Sequence, residues 1–313
     1  MVATWTTVRV LAFLALLAAT ARPVVPRLRR RPAAARDHRD VPARPHATTP
    51  GGPMAPPPAV RWIYAFADRP RPRQEAVRTF WAAVTGSSLS PSRGECGEFV
   101  TFLPPGGADP SFKHQTVTDG PGGAHVDLCV EDVPAFVRHA QEAGAGAVFE
   151  EPGLSVLRSP AGLDFCVVPW AGERTPPPVV ADERLDQVCL DIGPAAHERE
   201  LAFWAELTGW RPVLTGQPEF HRLRPPPGLP VRFLVQRLDD EQPARAHLDL
   251  AVLRPAEARA RHEAFGARFV AEGKEWTVMR DPAGSLYCLT DRDPHVPTGG
   301  EAGAGGACGR PGC

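Results

Sequence analysis

Short runs in which apolar and polar residues alternate recur along the chain, and segments with a helical spacing of apolar residues lie between them. In "HLDLAV" (247–252) every second residue is a large apolar one, which is typical of a half-buried strand. In "AAHERELAFWAELTG" (195–209), Leu201, Trp204 and Leu207 share one helical face, and Gly209 is a typical helix-ending residue. The pattern therefore predicts amphipathic helices between strands.

The order of the predicted elements repeats within the second half of the chain. In order, they are strand 184–192, helix 195–209, strands 219–225 and 231–238, then strand 247–252, helix 256–267 and strands 268–273, 275–282 and 285–290. The last two strands are joined by a predicted turn at Pro282-Ala283-Gly284. A strand, a helix and two or three strands are thus given twice.

The two halves of the chain also match each other at a nearly constant offset. The matching blocks are "EAVRTFWAAVTG" (75–86) with "ERELAFWAELTG" (198–209), "GEFVTFLPP" (97–105) with "PEFHRLRPP" (218–226), "AHVDLCV" (124–130) with "AHLDLAV" (246–252), and "SPAGLDFCVV" (159–168) with "DPAGSLYCLT" (281–290). The offset is too long for a solenoid repeat. It predicts two homologous domains, 59–172 and 182–293, joined by a Pro-rich linker at 173–181, and hence four small modules.

Composition places the chain among soluble globular proteins. It has 313 residues, 43% hydrophobic and 23% charged, with a formal net charge of -1, so the balance favours neither nucleic acid nor an acidic membrane as a partner. Motifs for nucleotide binding, phosphoryl transfer and serine hydrolysis are absent from the sequence. Most of the seven cysteines lie in apolar, strand-like text, which favours reduced thiols and a cytoplasmic location.

The two ends differ from the rest of the chain. Residues 1–58 are predicted to be a disordered or signal-like extension, rich in Pro, Arg and Ala after an apolar stretch at 10–21. A cleaved signal within residues 1–21 would mean secretion, whereas a start at Met54 would leave the extension outside the working protein. Residues 294–313 are predicted to be a disordered tail.

The paired blocks resemble the vicinal oxygen chelate superfamily, and within it the glyoxalase-like domains of the bleomycin-resistance type. The residues that carry the resemblance are "FWAAVTG" with "FWAELTG", "AHVDLCV" with "AHLDLAV", and "LRSPAGLDFCVV" with "VMRDPAGSLYCLT". The resemblance implies an α+β fold in which each domain pairs two βαβββ modules into a cup-shaped half-barrel around one pocket.

The resemblance also implies four positions that face into each cup and hold a metal ion in the family's enzymes. In the second domain these positions are Gln187, Gln236, His247 and Cys288, and in the first they are Tyr64, Gln115, His125 and Cys166. Only the histidine matches the family pattern, and Cys replaces the last carboxylate. One His and one Cys fall short of the three protein ligands of a catalytic zinc site. We therefore expect no functional metal site and no cofactor, with a divalent metal as the less favoured alternative.

Several residues remain as candidates for binding or catalysis. His247 and Asp249 would share one face of a strand and could act as an Asp–His pair in proton transfer, although a purely structural pair is the commoner outcome. Arg280 could meet an acidic ligand or stabilise a turn. The candidate ligand-binding residues are Tyr64, Gln115, His125, Gln187, Gln236, His247, Trp276 and Arg280.

We expect a metal-free module that binds a small organic molecule in the manner of bleomycin-resistance proteins. The alternative is an enzyme of the lyase, isomerase or dioxygenase type that works with a degenerate metal site or with the His247–Asp249 pair. The expected partner is a small molecule, with no nucleic acid and no membrane. The two domains are expected to pair within the chain, and a homodimer is left open.

Overall fold

The computed structural model describes residues 58–118 and 122–300. The first domain contains strands β1 (Val60–Pro70), β2 (Ser88–Leu89), β3 (Phe99–Leu103), β4 (Phe112–Val117), β5 (Gly123–Val130), β6 (Gly146–Glu151), β7 (Leu154–Arg158) and β8 (Asp164–Pro169), with helices α1 (Gln74–Thr85) and α2 (Val133–Glu142). The second contains β9 (Glu183–Ile192), β10 (Arg211–Leu214), β11 (Phe220–Arg224), β12 (Arg232–Arg237), β13 (Arg245–Val252), β14 (Arg268–Glu272), β15 (Trp276–Arg280) and β16 (Leu286–Asp291), with helices α3 (His197–Thr208) and α4 (Pro255–Ala264).

The helix boundaries follow the sequence signals. Helix α3 ends where predicted, because Gly209 adopts a left-handed conformation with φ 69° that residues with a side chain rarely adopt. Gly86 ends α1 in the same way, with φ 60°. Strand β10, which the apolar pattern does not predict, is short and mostly exposed.

Each domain is one eight-stranded mixed sheet, and the two sheets have the same topology. The strand order is β2-β3-β4-β1-β5-β8-β7-β6 in the first sheet and β10-β11-β12-β9-β13-β16-β15-β14 in the second. The first strands of the two modules, β1 with β5 and β9 with β13, run antiparallel at the centre of each sheet. The predicted α+β fold of tandem domains, each built from two modules, is confirmed.

The two domains share one hydrophobic core. Trp81 of α1 packs edge-on against Tyr287 of β16, with ring centroids 5.1 Å apart. Trp204 of α3 lies at the same centroid distance from Phe165 of β8. Each of these helices therefore lies between its own sheet and the last strand of the other domain, so large aromatic rings stabilise both domains at once.

A buried ion pair also joins the domains. Nε of Arg69, at the end of β1, donates to Oδ2 of Asp281 at 2.5 Å, and both side chains are at most 1% exposed. Nη1 of Arg69 donates to the carbonyl oxygens of Asp68 and Gly123, while Oδ1 of Asp281 accepts from the backbone N–H groups of the turn that follows it. Such a pair tolerates burial because most of its polar atoms are satisfied.

The structure describes the start of the predicted C-terminal tail but not the predicted N-terminal extension. Residues 294–300, predicted to be part of a disordered tail, instead pack on the second domain. The hydroxyl of Thr298 donates to the carbonyl oxygen of Leu229, and Arg184 donates to the carbonyl oxygen of Val296. The prediction of disorder rested on the composition of this segment, which does not report the contacts that it makes with the second domain. The expectations for residues 1–57 and 301–313, including the signal at 1–21, lie outside the described residues.

Candidate functional site

The concave face of the second sheet, which we call cup 2, encloses an open cavity of about 430 Å³. Alternation along β9 points Gln187, Cys189 and Asp191 into cup 2, because successive side chains of a strand face opposite sides. Val188 and Leu190 point the other way, into the core. The strand pattern therefore places polar groups at the floor of the cavity.

The mouth and walls of the cavity are largely apolar. Leu214, Phe220, Leu234 and Trp276 line it, and the rings of Phe220 and Trp276 meet edge to face at 5.5 Å. A few polar groups within apolar walls are typical of small-molecule sites.

His247 is the centre of the polar floor. Its Nδ1 lies 3.2 Å from Oδ2 of Asp191, and its Nε2 lies 3.2 Å from Oδ1 of Asp249 and 3.6 Å from Sγ of Cys288. The structure thus brings together the His247–Asp249 pair considered from the sequence. It adds Asp191, which no motif pointed to, on the opposite side of the imidazole ring.

The charge on His247 follows from these neighbours. Burial alone lowers the pKa of the imidazole, but the carboxylates of Asp191 and Asp249 on either side of the ring act in the opposite direction and raise it above its ordinary value. The two carboxylates therefore favour the protonated form of the imidazole, which disfavours a role for it as a general base. Burial raises the pKa of the Cys189 and Cys288 thiols, so both stay protonated at neutral pH.

Gln187 is held rigidly in the floor of cup 2. Its Nε2 donates to Oδ2 of Asp249 at 2.6 Å, and its Oε1 accepts from Nε of Arg232 at 2.9 Å. Gln236, on the neighbouring strand, lies at the edge of the same floor, with Oε1 3.8 Å from Sγ of Cys189. Both glutamines predicted to face the cup line the cavity.

Arginines form one side of cup 2. Arg292 makes a two-point ion pair with Asp186, at 2.7 and 2.8 Å. Arg222 and Arg232 also line the cavity, and neither forms an ion pair among the described residues. Burial, followed by repulsion from Arg292, lowers the pKa of Arg232 to about 9.

The linker between the domains reaches the concave face of the first sheet, which we call cup 1. The hydroxyl of Tyr64 donates to the carboxylate of Glu173, which lies in the linker after β8. Nζ of Lys113 lies over the Tyr64 ring, 3.3 Å from its centroid, and 3.9 Å from Oδ2 of Asp127. The linker is tied down further, since Oδ2 of Asp109 accepts from two of its backbone N–H groups.

The other candidates in cup 1 are buried under this arrangement. His125 stacks on Phe66 with centroids 4.2 Å apart, and its Nδ1 lies 2.8 Å from Oδ2 of Asp68. Gln115 is 2% exposed and Cys166 is 3% exposed. Tyr64, Gln115 and His125 are therefore in a cup, as expected, but in one that leaves them little contact with solvent.

Trp276 and Arg280 lie on the same strand but only one of them reaches the cavity. Trp276 lines the mouth of cup 2. Arg280 is exposed and donates to the carbonyl oxygen of Gly284 in the turn between β15 and β16, outside the cavity. Arg280 therefore lies outside the lining of cup 2, because the end of β15 extends past the cup, and its role in ligand binding stays a prediction.

Three donor atoms in cup 2 have an arrangement that suits a metal ion. Nε2 of His247, Oδ1 of Asp249 and Sγ of Cys288 all lie within 4.8 Å of one another. The family pattern gave two possible metal donors in this cup, His247 and Cys288. The structure adds a third, the carboxylate of Asp249. Asp249 was not considered as a metal donor, because the family pattern places the carboxylate on the last strand and not on β13.

Sequence reasoning also missed Asp191, Arg222 and Arg232. The alternation of side chains along β9, β11 and β12 could have shown that all three residues face the cup. Aspartate 191 is two positions from Cys189 and four from Gln187, so it shares their face. The sequence does not show which of these side chains lie next to each other on adjacent strands, because that depends on strand register.

The geometry agrees with the comparisons to known proteins. The family profile described as "Glyoxalase-like domain" matches residues 65–168 and, a second time, residues 187–290. The chain belongs to the glyoxalase-like domain family, with two tandem copies. This confirms the membership of the vicinal oxygen chelate superfamily that the repeated motifs indicated. Among curated proteins, none matches the chain in sequence.

Similar solved structures support the fold. The Mn(II)-bound glyoxalase from Novosphingobium aromaticivorans superposes with a TM-score of 0.55 at 18% identity, covering 74% of this chain and 82% of that one. An extradiol ring-cleaving dioxygenase from B. fuscum has a TM-score of 0.54 at 13% identity, covering 80% and 76%. The 2,3-dioxygenase LapB from Pseudomonas sp. KL28 has a TM-score of 0.51 at 13% identity, covering 75% and 93%. At these identities the likeness concerns the fold alone.

Within residues 58–118 and 122–300, no helix combines the length and the apolar character needed to cross a membrane.

Proposed function

We propose that the second domain binds a small organic molecule in cup 2. The observation that carries this proposal is the open cavity of about 430 Å³, with apolar walls and a floor of ordered polar side chains. Its volume lies within the range of about 300–1,000 Å³ that is usual for ligand sites.

The floor is ordered before any ligand arrives. Gln187 is fixed between Asp249 and Arg232, and His247 is fixed between Asp191 and Asp249. A ligand that meets fixed side chains loses less free energy to their ordering, so its affinity is higher. Cup 1 differs, because the carboxylate of Glu173 from the linker is bonded to Tyr64 at the position equivalent to Gln187.

Filling cup 2 is expected to abolish binding of a neutral apolar probe. Leu234 lines the cavity, so Leu234→Trp places an indole ring where the ligand would lie. We expect the fluorescence increase of N-phenyl-1-naphthylamine to show saturable binding to the natural protein. The variant should bind at least about tenfold more weakly, since the apolar contact area is lost.

Leu253→Trp is the matched control, since Leu253 is 47% exposed and does not line the cavity. This variant should bind the probe as the natural protein does. Equal binding by Leu234→Trp and Leu253→Trp would contradict the proposal.

A metal-assisted reaction in the same cup is a second candidate. It is favoured by Oδ1 of Asp249, which is buried, accepts no hydrogen bond among the described residues, and lies beside His247 and Cys288. One nitrogen, one oxygen and one sulfur donor suit zinc, with a position left for a ligand. A bound ion would polarise an oxygen of the organic molecule. The Mn(II)-bound glyoxalase is similar in fold and is consistent with this candidate.

Cup 1 has the same three residue types, His125, Asp127 and Cys166, within the same distance. It differs by Lys113, whose ammonium group lies 3.9 Å from Asp127 and repels a second cation. At the equivalent position cup 2 has Leu234, which carries no charge. The donor set of cup 2 is therefore the better one for a metal ion.

Metal content is expected to depend on His247 and not on His125. We expect elemental analysis and native mass spectrometry of protein purified without chelator to show one metal ion per chain. His247→Ala should remove it, whereas His125→Ala should keep it. Metal-free natural protein that still binds the probe would exclude the second candidate and leave the first standing.

A further inference from the structure

We propose that the molecule bound in cup 2 is an organic acid, whose anionic group lies against Arg222 and Arg232 while its apolar part lies against Trp276. This inference rests on the proposed binding function of cup 2 and names the chemical class of the ligand.

The first argument is that the guanidinium groups of Arg222 and Arg232 form no ion pair among the described residues, although the charge of Asp186 acts on both from a longer distance. Asp186 neutralises Arg292 through two short hydrogen bonds. Arg232 is 5% exposed, yet its one hydrogen-bond partner among the described residues is the neutral Gln187. Arg222 is half-buried and has no hydrogen-bond or ion-pair partner among those residues. A buried charge without a partner is costly, so this wall is suited to an anion.

The second argument is the repulsion among the arginines. Burial and then the charges of Arg224 and Arg292 lower the pKa of Arg222, and the charge of Arg222 contributes to the lowered pKa of Arg232. An anion placed between them would relieve this repulsion. Arg222 and Arg232 both line the cavity, so a ligand can reach them.

The carboxylates of cup 2 have other direct partners than Arg222 and Arg232. Asp249 accepts from Gln187 and lies 3.2 Å from Nε2 of His247, while Asp191 contacts both His247 and Arg245. Glu275 and Asp291 belong to the cavity lining but are exposed at its rim, where water and salt screen them. None of these carboxylates forms a hydrogen bond or an ion pair with Arg222 or Arg232 within the described part of the chain, so both guanidinium groups can take an anion.

The third argument comes from the other half of the molecule. Thr101 and Ser111 stand in cup 1 where Arg222 and Arg232 stand in cup 2, as the strand register shows. Cup 1 thus lacks the arginines and is closed by a carboxylate of its own, that of Glu173, which accepts from the Tyr64 hydroxyl and from a backbone N–H group. A carboxylate therefore lies next to Tyr64, the residue equivalent to Gln187.

The test compares two probes that differ by one anionic group. 8-Anilinonaphthalene-1-sulfonate is an aromatic acid, and N-phenyl-1-naphthylamine is the same ring system without the sulfonate. We expect Arg222→Gln to weaken binding of the sulfonate by about tenfold or more while leaving the neutral probe unchanged, because a charge-assisted hydrogen bond is lost. Arg222→Lys should keep most of the affinity. Arg280→Gln, at an exposed arginine outside the cavity, should change neither probe.

The outcomes separate this inference from the proposed function. Unchanged sulfonate binding by Arg222→Gln, together with loss of both probes in Leu234→Trp, would overturn the organic-acid inference and leave cup 2 as a binding site. If neither probe responds to Leu234→Trp, the proposed function fails and this inference fails with it. Unchanged binding of the neutral probe by Arg222→Gln shows that this variant is folded.

Discussion

Replacing Arg69 with isoleucine is expected to lower the free energy of unfolding by about 3–5 kcal/mol, which is usual when one partner of a buried ion pair is removed. The carboxylate of Asp281 would remain buried without its guanidinium partner. The carbonyl oxygens of Asp68 and Gly123 would also lose a donor. Urea denaturation followed by tryptophan fluorescence measures the change.

The other half of the chain supplies the control for this prediction. At the positions equivalent to Arg69 and Asp281, the repeat has Ile192 and Ser159, both buried. The hydroxyl oxygen of Ser159 accepts from a backbone N–H of its turn, as Asp281 does. The double variant Arg69→Ile/Asp281→Ser is therefore expected to regain most of the lost stability. If it is less stable than both single variants, the ion pair is not the cause.

Removing the Trp204 side chain is expected to cost about 3–5 kcal/mol, the usual range for a buried tryptophan. Trp204 is 1% exposed and packs between Phe233 of its own sheet and Phe165 of the other domain. Trp204→Ala should therefore unfold both domains at a lower urea concentration in a single transition. Two separate transitions would contradict the shared core.

A comparison of Trp204 with the equivalent Trp81 distinguishes the contribution of packing from that of hydrogen bonding. Nε1 of Trp204 donates to the buried carboxylate of Glu200 at 2.8 Å, whereas Nε1 of Trp81 has no hydrogen-bond partner among the described residues. Trp204→Phe should therefore destabilise the protein by about 1–3 kcal/mol more than Trp81→Phe, because it removes a donor from a buried acceptor. Equal losses would show that packing alone accounts for both residues.

Much of the fold could be predicted from the sequence, because it is encoded locally and twice. The helical spacing of Leu201, Trp204 and Leu207, with Gly209 behind them, defines α3 almost to the residue. Because the two halves match in sequence, each element predicted in one domain is also predicted at the equivalent position of the other. What local patterns do not encode is the reciprocal packing of each helix on the other domain. That packing depends on how two finished sheets meet.

The candidate site was predictable in its location and less so in its chemistry. Matching to the family placed Gln187, Gln236 and His247 in one cup, and all three line the cavity. The same matching directed attention to the last strand for a carboxylate, so Asp191 was passed over. The closure of cup 1 joins Tyr64 and Glu173, which are 109 residues apart in sequence, and no periodicity reports such a contact.

The linker that closes cup 1 has a consequence for how the protein responds to ligand concentration. A duplicated domain suggests two binding sites and the opportunity for one to influence the other. Since Glu173 already occupies the first, the binding isotherm should be a simple hyperbola that saturates at one molecule per chain, without cooperativity. Under the binding function proposed for cup 2, duplication would have enlarged the scaffold around that site without doubling its capacity.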